Sequence, residues 1–314
     1  MYVLWVGLTH PGQTFGNQQD LRMKKIKWNS GWLFVLPALI VFIVFKYYPI
    51  AMGVGISFFK YQIMSPPGIF IGFGNYIRAF KDPYVLNALR NNFEFWIIML
   101  VLNFWVPLAL AIMVNEVTKH TGIIRTMFYI PAILPTVVVT ILWKYIWQPD
   151  YGLANFLMGK VGLPHQLWLN STLLVKWCMR FPYLFIFAGL SAGMDFIIYL
   201  AGLSNVPREL YESAELDGAG FWRRLFRITL PMIRSTISML LITNTIAIFN
   251  LFDEPKIMTG GGPAKSTETL VLYAFDKAYT GGEFSYATTI TTIAFCIVFM
   301  LTVMQMRLQR RSDM

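Results

Sequence analysis

The stretch VPRELYESAELDGAGFWRRLFRITLP, Val206 to Pro231, is a polar island between two long apolar runs. Asn205 precedes Val206-Pro207, and proline is favoured at a helix start because its missing N–H is not needed there. Arg208 to Leu216 is made of good helix formers, with Glu209 and Glu212 in the early turns, where carboxylates suit the positive end of a helix. Ser213 and Ala214 are small, so this helix can lie close against another surface. Asp217-Gly218-Ala219-Gly220 predicts its end, since glycine readily adopts the left-handed position after a helix. A second, amphipathic helix is predicted beyond it. Its apolar residues are Trp222, Leu225, Phe226 and Ile228, and its basic ones are Arg223, Arg224 and Arg227. Pro231 then opens the next apolar run.

Composition says what surrounds the island. The chain has 314 residues, of which 56% are hydrophobic and only 13% charged, against about 25% charged in soluble domains. Mean hydropathy is +0.54. These values predict one helical bundle in lipid rather than two soluble domains. The net charge of +10 comes from Lys and Arg beside apolar runs, the usual place for side chains facing anionic headgroups.

Six segments are long and apolar enough for a hydrocarbon core of ~30 Å, which takes roughly 20 residues each. They are 33–57, 93–114, 126–147 (with Pro131 and Pro135 inside), 181–203, 232–252 and 287–306. The expected fold is therefore all-α: a polytopic membrane helical bundle of about six transmembrane helices. The expected organisation is a tail over 1–30, a membrane domain over 31–306 with its polar loop at 204–231, and a second tail over 307–314.

Lys and Arg bias sets the orientation. With the N-terminus inside, the inner segments hold 14 such residues and the longer outer ones hold 10; Lys46 and Lys144 fall in spans. Both termini and the island are expected in the cytoplasm of a multi-pass inner-membrane protein. Tyr2 to Leu8 is too short for a signal peptide and no basic stretch precedes it. Met23-Lys24-Lys25 resembles a natural start. Long outer loops are expected at 59–92, 148–180 and 253–286. The second ends in LLVKWCMRFP, an expected interfacial segment with Trp168 and Trp177 as anchors.

Catalytic chemistry has little to stand on. Cys178 and Cys296 have no disulfide or metal spacing, and His10, His120 and His165 share no ligand pattern. The run Gly260-Gly261-Gly262-Pro263-Ala264-Lys265-Ser266 superficially resembles a phosphate loop. It has two residues between its last glycine and its lysine, where that motif has none.

Two charges, Lys46 and Asp195, fall near mid-membrane, and such groups face a partner or water. Their depths from the cytoplasmic ends differ by about four residues, ~6 Å. Two readings stay open: a Lys46–Asp195 latch between helices, or Asp195 beside a polar path.

The island resembles the EAA signature of membrane subunits of ABC importers. That signature is Glu-Ala-Ala, three residues, Gly, nine residues, then Ile-x-Leu-Pro. Here it stands as Glu212-Ser213-Ala214, Gly218 and Ile228-Thr229-Leu230-Pro231, with both spacings kept and serine for the middle alanine. Tyr199-Leu200-Ala201-Gly202-Leu203 and Met258-Thr259-Gly260-Gly261-Gly262-Pro263 resemble the sugar-importing branch, as do Pro37, Tyr48-Pro49 and Ser57-Phe58.

The resemblance implies a permease subunit for a sugar or oligosaccharide, in an importer of type I. An external solute-binding protein would deliver the substrate. The partners it implies are a second homologous permease, two cytoplasmic ATPase subunits and membrane lipid. ATP and Mg would lie on the ATPase, with no cofactor on this chain and no nucleic acid. Glu212, Ser213, Ala214, Asp217 and Gly218 would couple to the ATPase. An ungapped match to the larger membrane subunit of maltose importers puts the substrate path at Phe187, Ser191 and Met194, beside Asp195, and at Asn244, Ile248 and Leu251. Each set has the spacing of one helical face. Two rivals are a permease for a non-sugar solute such as a glycerol phosphodiester, and a self-sufficient secondary transporter.

Overall fold

The computed structural model describes residues 28–61, 68–116, 121–181 and 192–312. The chain divides into two units, Met1–Met52 and Gly53–Met314. In the first, α1 (Trp28–Phe42) runs through a π turn (Ile43–Tyr47) into α2 (Tyr48–Ile56). The stretch Phe34–Ile56 is long and apolar enough to cross a membrane. Lys46 holds its ammonium 5.8 Å from the Phe42 ring centroid, so its charge stays on its own helix.

The second unit begins with a short hairpin, β1 (Phe59–Lys60) against β2 (Ile69–Phe70). Then come α3 (Gly74–Lys81) and α4 (Pro83–Ile98), which passes through a π turn (Met99–Asn103) towards α5 (Trp105–Asn115). Helix thus begins at Pro83, ten residues before the predicted start of the second span. The Asp82 side chain accepts the Tyr84 N–H and Pro83 takes the first helical position, a capped start. The whole stretch Pro83–Asn115 qualifies as a span.

The predicted third span is broken. α6 (Thr121–Tyr129) gives way to a 3₁₀ turn (Ile130–Ile133), and α7 (Thr136–Ile146) starts after Pro135. Proline lacks the N–H that would continue the ladder. Eleven residues of α7 reach only ~16 Å at the helical rise.

The outer loop that follows holds α8 (Leu153–Lys160) and α9 (Val175–Arg180). In the expected interfacial segment the two basic side chains are buried, Lys176 at 8% and Arg180 at 2% exposed, while Trp177 stays 47% exposed. Lys176 donates to Asn91 Oδ1 at 2.8 Å and pairs with Glu94, and Arg180 lies 3.5 Å from Glu254. Trp168 donates to Asn155 Oδ1 at 2.7 Å, so it is tied inside the loop.

The fourth span is described from α10 (Ala192–Ser204) onward. α11 (Arg208–Leu216) follows. Then α12 (Phe221–Arg224), a π turn (Leu225–Thr229) and α13 (Leu230–Met232) form one rod, which bends by 66° at Ile233 into α14 (Arg234–Phe249). α15 (Leu270–Tyr279) lies in the last outer loop, and α16 (Phe284–Ser312) is the long final helix. It outruns the predicted span at both ends. Among the described residues, three helices meet the length and hydropathy of a span, and the bent pair adds a fourth; α7 and the Met194–Ser204 part of α10 are shorter apolar helices.

The core joins α10 to α5 and α14. Phe196, Tyr199, Leu200 and Leu203 pack with Phe104, Leu108 and Ala111 on one side and with Leu240 and Ile248 on the other. A side chain at Gly202 would put its Cβ 2.7 Å from Thr236 Oγ1 and 3.2 Å from Cγ2. Glycine is thus what lets α10 approach α14 there, the usual device where lipid supplies no hydrophobic drive. Gly202→Ala is expected to cost about 1–3 kcal/mol as overpacking. Thermal unfolding in mild detergent checks it, and Thr236→Ala in the same chain should recover most of the loss.

The outer elements are tied by buried polar side chains. Asn92 donates to Ile248 O at 3.1 Å and accepts the Leu270 N–H at 2.9 Å. Asp82 accepts from the Tyr273 and Tyr286 hydroxyls at 2.8 and 2.6 Å, and Arg78 pairs with Glu283. Burial pushes the Asp82 carboxyl up, but these hydroxyls, the Tyr84 N–H and Lys277 outweigh it and hold it below the ordinary carboxylate range. The bond from Arg78 does the same for Glu283. Depressed values mean that this stability is present above the unfolded carboxylate pKa and is lost as pH falls through the lower folded one. Unfolding midpoints of wild type should therefore drop below about pH 4. Asp82→Asn should start lower at neutral pH and show a shallower acid loss.

Candidate functional site

The polar island folds as a lever attached to a bent helix. α11 has no buried residue, and Leu216 at its end is 91% exposed. Gly218, at φ +73°, closes it. The Gly218 N–H returns to Glu215 O at 3.0 Å and the Ala219 N–H to Ala214 O at 2.8 Å. These paired bonds satisfy the last carbonyls and need a left-handed residue at Gly218. Glu212, Ser213, Asp217 and Gly218 are exposed and Ala214 half-buried, so these five form an accessible edge and turn.

Two contacts fix this edge to the next helix. The Tyr211 and Thr229 hydroxyls share a hydrogen bond of 3.0 Å, and Arg224 lies 3.7 Å from Glu215. Thr229 is buried and closes the π turn, and its carbonyl accepts the Ile233 N–H at the bend. Ile112, Asn115, Leu203 and Tyr211 meet Phe221, Leu225 and Thr229 around a small cleft at the base. A push on α11 therefore reaches the rod Phe221–Met232. No local pattern marks Tyr211 and Thr229 as partners, since 18 residues separate them.

Beyond the bend, α14 carries Asn244, whose Nδ2 donates to Asp195 Oδ2 on α10 at 3.0 Å. Asn244 and Asp195 are half-buried, and Met194 beside them is 45% exposed. The hydrogen-bond partner of Asp195 within this unit is Asn244, on the neighbouring helix; Lys46 belongs to the other unit. Ile248 and Leu251, read as path residues, are 4% and 8% exposed and belong to the core. Phe187 and Ser191 lie outside the described residues. Asn244, from one predicted stripe, is thus joined to Asp195, the residue beside the other.

Residues 106–312 match the family model of the binding-protein-dependent transport system inner membrane component. The chain belongs to that family. As such it is a transport subunit of the inner membrane rather than an enzyme. The permease is 34% identical over 282 residues to the probable ABC transporter permease protein YurN of Bacillus subtilis, covering 88% of this chain and 94% of that one. It is 33% identical over 282 residues to the sulfoquinovosyl glycerol transport system permease protein SmoG of Agrobacterium fabrum, covering 90% of each. Among solved structures it resembles a bacterial alginate ABC transporter in complex with alginate pentasaccharide-bound periplasmic protein. That likeness has a TM-score of 0.78 and 26% identity, and it covers 90% of this chain and 96% of the other.

If the Tyr211–Thr229 bond holds lever and rod together, Tyr211→Phe should cost about 0.5–1.5 kcal/mol in that contact. The permease should stay folded while α11 exchanges its amide protons faster. Hydrogen exchange of 208–216 against the rest of the chain measures this, and Thr229→Ser alone, which keeps its hydroxyl, should retain wild-type protection.

Proposed function

We propose that this permease forms half of the translocation path of an ABC importer for a sugar or oligosaccharide. A second homologous permease completes the path, two ATPase subunits drive it from the cytoplasm, and an external solute-binding protein loads it. ATP and Mg act on the ATPase subunits. Both termini lie in the cytoplasm, as the denser Lys and Arg of the inner segments support. The observation that carries the reading is the exposed edge Glu212-Ser213-Ala214 with the Asp217-Gly218 turn, bonded through Tyr211 to a rod that continues into α14. The sugar class rests on relatives that transport sulfoquinovosyl glycerol and alginate.

The mechanism is alternating access. When ATP closes the ATPase dimer, α11 moves with its docking groove. Tyr211 and Arg224 carry that movement to the rod, and the rod turns α14 about the bend at Ile233. α10 follows, because Gly202 and Asp195 hold it against α14. The path runs past Met194, Asp195 and Asn244. Carboxylate and amide can exchange their mutual bond for bonds to substrate hydroxyls, a polar pair kept in lipid for use rather than for stability. Ile248 and Leu251 pack behind that face.

Glu212→Lys places a cation on the docking edge. Transport and substrate-stimulated ATP hydrolysis should both fall at least tenfold, about 1.4 kcal/mol or more, with the permease still inserted at wild-type level. Wild-type stimulated hydrolysis in that variant would remove the coupling role. Asn244→Ala, in contrast, should lower uptake while leaving the ATPase stimulated by the loaded binding protein.

A further inference from the structure

The rod Phe221–Met232 carries a second surface. Trp222 and Phe226 are 67% and 62% exposed and stack on each other with centroids 6.1 Å apart at 19°. Arg223 and Arg227 form the neighbouring stripe, both exposed, and among the described residues neither has an acidic partner. Leu225 and Thr229 instead line the cleft at the base of the lever, and Thr229 is buried. The rod makes 66° with α14. If α14 crosses the bilayer within the usual tilt of about 20°, the rod lies closer to the membrane plane than to its normal. Aromatic and basic stripes side by side on a helix in that attitude are the pattern of an interfacial helix.

We propose that this rod is a membrane-surface element on the lever's side of the bilayer. Trp222 and Phe226 enter the acyl boundary, and Arg223 and Arg227 bind the phosphates of anionic lipid. The lipid surface is then the bearing against which the rod turns. Contact with lipid supports the bend from outside, while Tyr211 links the rod to α11 from within. The proposal deepens the lever reading and rests on it for the side of the membrane.

The test uses the full-length permease purified with its partner subunits in lipid nanodiscs, with Cys296→Ser to remove the exposed thiol. Spin labels are placed one at a time at Trp222→Cys, Phe226→Cys and, for reference, Leu216→Cys. Collision with oxygen, which concentrates in hydrocarbon, is compared with collision with a water-soluble nickel chelate. Labels at 222 and 226 should favour oxygen, and the label at 216 should not. A nickel preference at 222 and 226, or shielding from both reagents by a protein partner, overturns the proposal.

Phosphatidylglycerol added to phosphatidylcholine discs should raise the oxygen preference at 226. Arg223→Gln with Arg227→Gln should abolish that response, and an unchanged response overturns the lipid-phosphate role. Sidedness is read separately from Ser213→Cys with an impermeant thiol reagent. Reaction from the outside alone would sink the cytoplasmic lever, while the oxygen-to-nickel ratio would still decide whether the rod is in lipid.

Discussion

The approach of α10 to α14 is the constraint on which the rest of this permease depends. Two points make it. Gly202 lets Thr236 into the space a Cβ would fill, and Asn244 bonds Asp195 about two turns further into the bundle. Lipid tails are as apolar as leucine, so helices in a bilayer associate by close packing and by polar contacts rather than by escape from water. The first contact is packing and the second is polar. Together they make two antiparallel helices behave as one body. Force entering at either end of that body is delivered at the other.

The outer face follows a different rule. There the elements are short, and buried polar side chains bind them to one another. Asn92 joins α4 to the end of α14 and the start of α15. Asn91 donates to Lys265 O and Glu268 O and accepts from Lys176. Thr269 donates to Leu251 O at 2.7 Å. An unmet donor or acceptor in such a place costs about 1–3 kcal/mol, so the network fixes where each loop begins. This frame and the exposed α11 lie on either side of the helices that the proposed mechanism moves.

Much of this was legible in the chain. Hydropathy marked the apolar runs, and Pro207 and Gly218 bracketed α11, because those residues act through their own backbone geometry. The polar side chains of Arg90, Asn91 and Asn92 made their stretch look like loop; Asn91 and Asn92 meet buried partners there, and Arg90 pairs with Glu94 on the exposed side. Prolines at 131 and 135 were visible inside the third run, but hydropathy alone does not say whether proline kinks a span or ends it. The α9 lysine and arginine read as interfacial since their acids, Glu94 and Glu254, are 82 and 74 residues away in sequence. Of the path residues, Asn244 bonds Asp195 on the neighbouring helix, while Ile248 and Leu251 are buried in the core, which helical spacing by itself cannot show. Tyr211 with Thr229 and the 66° bend are products of tertiary contact, and no local pattern announces them.

Transport by purified permease is the direct measure of whether force from outside the chain drives this bundle. The permease is reconstituted in vesicles by itself and, in parallel, with its partner subunits and loaded binding protein, and solute uptake is followed with and without ATP. The account predicts uptake only in the complete assembly with ATP, and none above leakage for the permease by itself. Uptake by the isolated permease at the rate of the full assembly, without nucleotide, would contradict it.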